Sequence, residues 1–230
     1  MSGPRDSNAP RPRGVVVDMD GLLVDSEPVY RRASQRAIAR QSLELTDPHY
    51  DELIGLPAPA VHARLAARFG DALDLPRYRR EFGEAWFELV AEGAIVEKPG
   101  ARQLLTSLEA LRIPYVLATS THRERMRETL KATGLDALIP EAVCGDEVRH
   151  GKPDPEIVHT AAARLRLDGH ECIVIEDSIV GVEAALAATA RALMVPDLAV
   201  PPADFPTRGV VVCEDLHRAR EQVLALTGPP

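Results

Sequence analysis

The stretch Gly14-Val15-Val16-Val17-Asp18-Met19-Asp20-Gly21 joins three consecutive valines to two aspartates and a glycine. β-Branched residues in a row, without polar alternation, predict a strand buried on both faces, as in a parallel sheet. Working outward, similar short apolar runs occur at 115–118, 172–175, 192–195 and 210–213. Segments of helical spacing, 123–133, 155–167, 179–190 and 216–226, separate or succeed them. Strands alternating with helices predict an α/β fold, a doubly wound parallel sheet with helices on both faces.

One region breaks the alternation. Residues 28–96 hold no convincing buried strand and read as helices at 29–41, 48–54, 60–69 and 77–91. Seven of the nine aromatic residues fall there. Bulky side chains are what a small helical unit needs to build a core of its own. The expected organisation is a flexible tail (1–13), an α/β core (14–27 and 97–230), and a helical cap (28–96) bounded by Pro28 and Pro99-Gly100.

Composition excludes several classes. A formal net charge of -8 over 230 residues argues against a nucleic-acid partner, which calls for a basic face. No apolar run approaches the roughly 20 residues needed to span a membrane. The three cysteines form no Cys-x-x-Cys pair, lie in or beside apolar runs, and suit a reducing, cytoplasmic setting.

In an open parallel sheet, ligands bind beyond the carboxyl ends of the strands. The residues just past each strand are therefore the informative ones. Asp18, Asp20 and Gly21 come after the first. Thr119, Ser120 and Thr121 come after the run at 115–118. Glu176, Asp177 and Ser178 come after the run at 172–175, and Lys152 sits in Gly151-Lys152-Pro153-Asp154-Pro155, a rigid loop opening a helix. Taken singly, each has an ordinary explanation: a helix cap, a turn, a surface lysine. Together they bring hard oxygen ligands suited to magnesium, and a lysine and hydroxyls suited to phosphate oxygens, to one place.

These motifs resemble the haloacid dehalogenase superfamily of phosphatases and phosphomutases. Asp18-Met19-Asp20-Gly21-Leu22-Leu23-Val24-Asp25-Ser26-Glu27 resembles its first motif, Thr119 the second, Lys152 the third, and Glu176-Asp177-Ser178 with Gly181 the fourth. The helical insert is similar to the small cap of the β-phosphoglucomutase-like subgroup. The resemblance implies that Asp18 is the nucleophile and Asp20 the general acid and base. It implies that Thr119, Ser120 and Lys152 bind the phosphoryl oxygens. Mg2+ would be held by Asp18, the Asp20 carbonyl, Asp177 and Glu176. His122 and Arg123 are candidate substrate contacts. Tyr30 stands where the mutases carry a histidine, and Gly55 is followed by Leu56 where they soon carry an arginine. The expectation is thus a monomeric hydrolase of a small phosphorylated metabolite, a sugar phosphate foremost, with a phosphomutase as the alternative and a non-catalytic metabolite-binding protein after that.

Overall fold

The computed structural model describes residues 11–227. In chain order the elements are β1 (Gly14–Val17), β2 (Val24–Asp25), α1 (Glu27–Ala39), α2 (Asp47–Asp51), α3 (Ala58–Phe69), α4 (Leu75–Ala91), β3 (Val96–Glu97) and α5 (Ala101–Ala110). Next come β4 (Tyr115–Thr119), α6 (Arg123–Thr133), β5 (Ala142–Cys144), α7 (Glu156–Arg164), β6 (Cys172–Glu176), α8 (Ile179–Ala187), β7 (Arg191–Met194), β8 (Val211–Val212) and α9 (Leu216–Thr227).

Six strands form one parallel sheet in the order β5-β4-β1-β6-β7-β8. All four residues of β1 are buried, as the valine run predicts for a central strand. Successive side chains point to opposite faces. Val15 and Val17 join the layer that includes Leu104, Leu108 and Val223, while Val16 joins the layer that includes Ile157, Ala161 and Val182. The register Val17↔Leu117 and Val17↔Ile175 then fixes which residues meet at the end of the sheet. It brings Asp18, Thr119 and Glu176 to the same edge of the sheet.

Four elements go beyond the sequence reading, the two-residue strands β2 and β3 among them. Helix α5 buries Ala101, Leu104, Leu105 and Leu108, an i, i+3, i+4, i+7 stripe that is visible in the sequence. Strand β5 has only three residues, fewer than any periodicity test can weigh.

The chain leaves the sheet through β2 and returns through β3, which pair antiparallel with Val24↔Glu97 and Asp25↔Val96. Between them lie α1–α4. Tyr50 and Tyr78 fill a local cluster with Ile38, Leu53 and Leu65. Phe69 packs against the same cluster, and Phe82 bridges it to the main core. Trp86 is buried in the main core, with Phe82 and Phe87 packed against it. Helix α4 is long enough to turn one stripe to α1 and another to α6. Its N-terminus is held by Asp74, whose side chain accepts from the Arg77 amide at 2.9 Å.

The expected tail largely lies outside the described residues. Its end does not dangle: Pro12 is buried, and Arg13 bonds Glu171 through both its amide and its guanidinium, at 2.7 Å each. Among the described residues no helix is long and apolar enough to cross a membrane. The three cysteines are free and buried.

Candidate active site

Asp18 comes directly after β1 and is 6% exposed. Its Oδ1 accepts a hydrogen bond from Lys152 Nζ at 2.5 Å. The same ammonium donates to the Glu176 carboxylate and, at 3.1 Å, to the Ala118 carbonyl. Carboxylate oxygens of Asp18, Glu176 and Asp177 lie within 4.8 Å of one another. Glu176 is fixed from behind, where its Oε2 accepts from Ser178 Oγ at 2.9 Å and from the Ser178 amide at 3.3 Å.

Crowded acids in a dry site resist ionisation. Burial pushes Asp18 up to about 8, with the Lys152 charge pulling back and the Glu176 and Asp20 charges adding to the rise. Burial, then the charges of Asp18 and Glu176, push Asp177 up to about 9. Burial disfavours the Lys152 ammonium, but Asp18 and Glu176 outweigh that and hold it well above the ordinary lysine range.

Two glycines make room for these acids. Gly21 has φ +74°, and a Cβ there would sit 2.3 Å from Asp177 Oδ2. A Cβ on Gly181 would fall 1.9 Å from the Glu176 carboxyl carbon. Ser178 caps α8 by accepting from the Gly181 amide at 3.1 Å, so the helix start and the site are built from the same residues.

Asp20 lies beside this group. Its Oδ2 accepts from Thr121 Oγ1 at 2.8 Å and Thr119 Oγ1 at 3.2 Å, and its Oδ1 from the Tyr30 hydroxyl at 3.4 Å. Thr119 Oγ1 in turn accepts from the Thr121 amide at 3.0 Å. The family motifs give Thr121 no role. A signal for it is nonetheless present, since residues two apart at a strand end share a direction and both 119 and 121 are threonine.

Ser120, between them, is exposed. His122 is exposed too, at the N-cap of α6. Arg123 is not brought to the site. Its guanidinium donates to the Ala142 carbonyl at 2.7 Å and pairs with Glu147, while its amide bonds Asp146 at 3.0 Å. Those partners belong to β5 and the turn after it, at the sheet edge. The arginine next to the cap is Arg125, whose guanidinium lies 5.1 Å from the Phe82 ring centre and 5.7 Å from that of Trp86. Arg64, Arg79 and Arg80 are exposed. A second acidic grouping, His150, Asp154 and Glu156, is at the surface, where Glu156 caps the amides of Arg149 and His150.

Comparison with known proteins gives the family. Residues 12–189 match the family described as haloacid dehalogenase-like hydrolase. A phosphorylated carbohydrates phosphatase of Thermotoga maritima is 33% identical over 174 residues, covering 76% of this chain and 80% of that protein. A validoxylamine A 7'-phosphate phosphatase of Streptomyces hygroscopicus subsp. limoneus is 32% identical over 175 residues, covering 73% and 78%. A crystal structure of a protein described as a β-phosphoglucomutase, also from Thermotoga maritima, superposes with TM-score 0.76 at 29% identity, covering 93% of this chain and 97% of that one. With the family model matching most of the chain and a relative 33% identical to it, the chain belongs to the haloacid dehalogenase-like hydrolase family.

Proposed function

We propose that this protein is a magnesium-dependent phosphatase of a small phosphorylated metabolite, most readily a sugar phosphate, working through an aspartyl phosphate on Asp18. The observation that carries the proposal is the buried cluster of Asp18, Lys152, Glu176 and Asp177 with Asp20 held beside it. The named activities of the Thermotoga and Streptomyces relatives agree with it.

The chemistry runs in two displacements. An Asp18 oxygen bonds to phosphorus while the ester P–O bond breaks, and Asp20 gives its proton to the departing oxygen. Water then bonds to phosphorus, Asp20 takes the water's proton, and the Asp18–phosphorus linkage opens to release phosphate. Phosphoryl transfer is mainly positioning and charge stabilisation. Lys152 lies against the nucleophile and would neutralise an incoming phosphoryl oxygen; Thr119, and Ser120 beside it, would donate hydrogen bonds there.

The donor set fits a hard divalent cation. Three carboxylates whose oxygens lie within 4.8 Å of one another, two of them pushed toward neutrality by burial and mutual repulsion, gain from one. Asp18, Asp177, Glu176 and the Asp20 carbonyl would hold Mg2+, which would offset the repulsion between the aspartate and a phosphate dianion.

A phosphomutase is the alternative, supported by the likeness to the protein described as a β-phosphoglucomutase. Tyr30 in place of a histidine, and cap arginines 64, 79 and 80 facing solvent, favour water as the acceptor instead. The expected working form is a cytoplasmic monomer.

Asp18→Asn should abolish magnesium-dependent phosphate release from p-nitrophenyl phosphate, and retained turnover would sink the nucleophile assignment. Incubation with β-glucose 1-phosphate separates the alternatives. Free phosphate supports the hydrolase, and glucose 6-phosphate without free phosphate supports the mutase.

A further inference from the structure

The Asp20 carboxyl is held from two sides by different parts of the chain. Thr119 and Thr121, at the end of β4, donate to Oδ2 at 3.2 and 2.8 Å. Tyr30, from α1 in the helical insert, donates to Oδ1 at 3.4 Å and lies 3.2 Å from Thr121 Oγ1. The three hydroxyls and the carboxyl form one polar knot, in which a group from the insert touches a group that reacts.

The Tyr30 hydroxyl has little freedom to be elsewhere. Its ring stacks on Phe82 with planes 8° apart and centres separated by 6.2 Å. Phe82 in turn packs against Tyr78, at 6.0 Å. The Tyr78 hydroxyl is tied to Ser34 Oγ at 2.8 Å, one helical turn beyond Tyr30 on α1. From the core side, Arg125 lies over Phe82 and Trp86 and so bears on the same stack. A column of aromatic rings running through the insert therefore sets where the phenol points.

We propose that Tyr30 is a positioning residue that aims the Asp20 carboxyl at the leaving oxygen, so that proton donation is aligned only while the helical insert lies against the end of β1. The proposal rests on the phosphatase reading above. Without Tyr30 the carboxyl keeps its two threonine donors on one oxygen and loses the restraint on the other. It is then free to rotate about its χ2 bond, a soft torsion. Misalignment of a reacting group costs rate without costing binding.

Leaving-group dependence provides the test. p-Nitrophenol leaves as an anion and needs little protonation, whereas phenol needs more. Tyr30→Phe keeps the ring stack and removes only the hydroxyl. For phenyl phosphate, kcat/KM, which reports only the step that forms the aspartyl phosphate, should fall roughly 10- to 100-fold. For p-nitrophenyl phosphate, kcat/KM should change by less than about threefold, since little proton transfer is at stake in forming the aspartyl phosphate from it. In an Asp20→Asn background, Tyr30→Phe should cause no further loss with phenyl phosphate. Equal losses of kcat/KM on both substrates, an unchanged kcat/KM for phenyl phosphate, or additive losses in that background would each overturn the proposal. Wild type and Asp18→Asn, run in parallel, keep the two ideas apart. Turnover by Asp18→Asn, or no phosphate release by wild type, removes the phosphatase reading and the proposal with it. An active wild type and a dead Asp18→Asn, with uniform losses in Tyr30→Phe, remove the Tyr30 proposal alone.

Discussion

Replacing Lys152 by Met keeps the unbranched stem and removes the ammonium that ties Asp18 to Glu176. The side chain is only 6% exposed, so no water stands ready to take its place. Glu176, whose side chain is 1% exposed, is then left without the charge that faces it. Stripping one partner from a buried ion pair costs about 3–5 kcal/mol. At about 2–4 °C per kcal/mol for a chain of this size, the unfolding midpoint should drop by roughly 6–20 °C. Thermal unfolding in a chelating buffer measures the loss. Turnover of p-nitrophenyl phosphate with magnesium should fall by about 10²- to 10³-fold, the scale for one removed electrostatic contact. An unchanged midpoint, with turnover within about threefold of wild type, would refute the account of Lys152 as the charge that holds the site together.

Two further outcomes are expected. Gly181→Ala places a methyl group 1.9 Å from the Glu176 carboxyl carbon, so the acid must move; activity should fall about 100-fold, while circular dichroism retains the native helix content. Preserved activity would mean that the position of Glu176 does not matter. Asp18 and Asp177 are pushed up to about 8 and about 9 without a cation, so magnesium must displace protons from them. Its apparent affinity, from calorimetry, should tighten as pH rises from about 6 to about 9 and should release protons into the buffer; a pH-independent affinity would contradict the crowding described for these acids.

Legibility depends on whether the cause of a feature is local. The valines of β1 announce a strand because burial on both faces forbids polar alternation, and the acids and lysine stand out because chemistry in such a sheet gathers at strand ends. Arg123 departs from its expected place for a reason of the same kind. Its partners, the Ala142 carbonyl and Glu147, belong to a three-residue strand and its turn that carry almost no pattern. Tyr30 is recognisable as a departure from the mutases but not as a donor to Asp20, because that contact depends on how α4 lays Phe82 against the core. Contacts between two units far apart in the chain have no signature in either stretch alone.

The pairing of β2 with β3 has a consequence for how such a protein can change over time. The chain departs at Val24 and Asp25 and comes back at Val96 and Glu97, in direct register, so the two ends of the insert are neighbours across one strand spacing. To the sheet, everything between them is a loop already closed. Lengthening, shortening or exchanging that loop leaves β1 and its partners in place, and adds only a slowly growing closure entropy. The strand-end residues and the helical insert can thus be rewritten on separate schedules, with Tyr30 as a point where a rewrite would have to respect both.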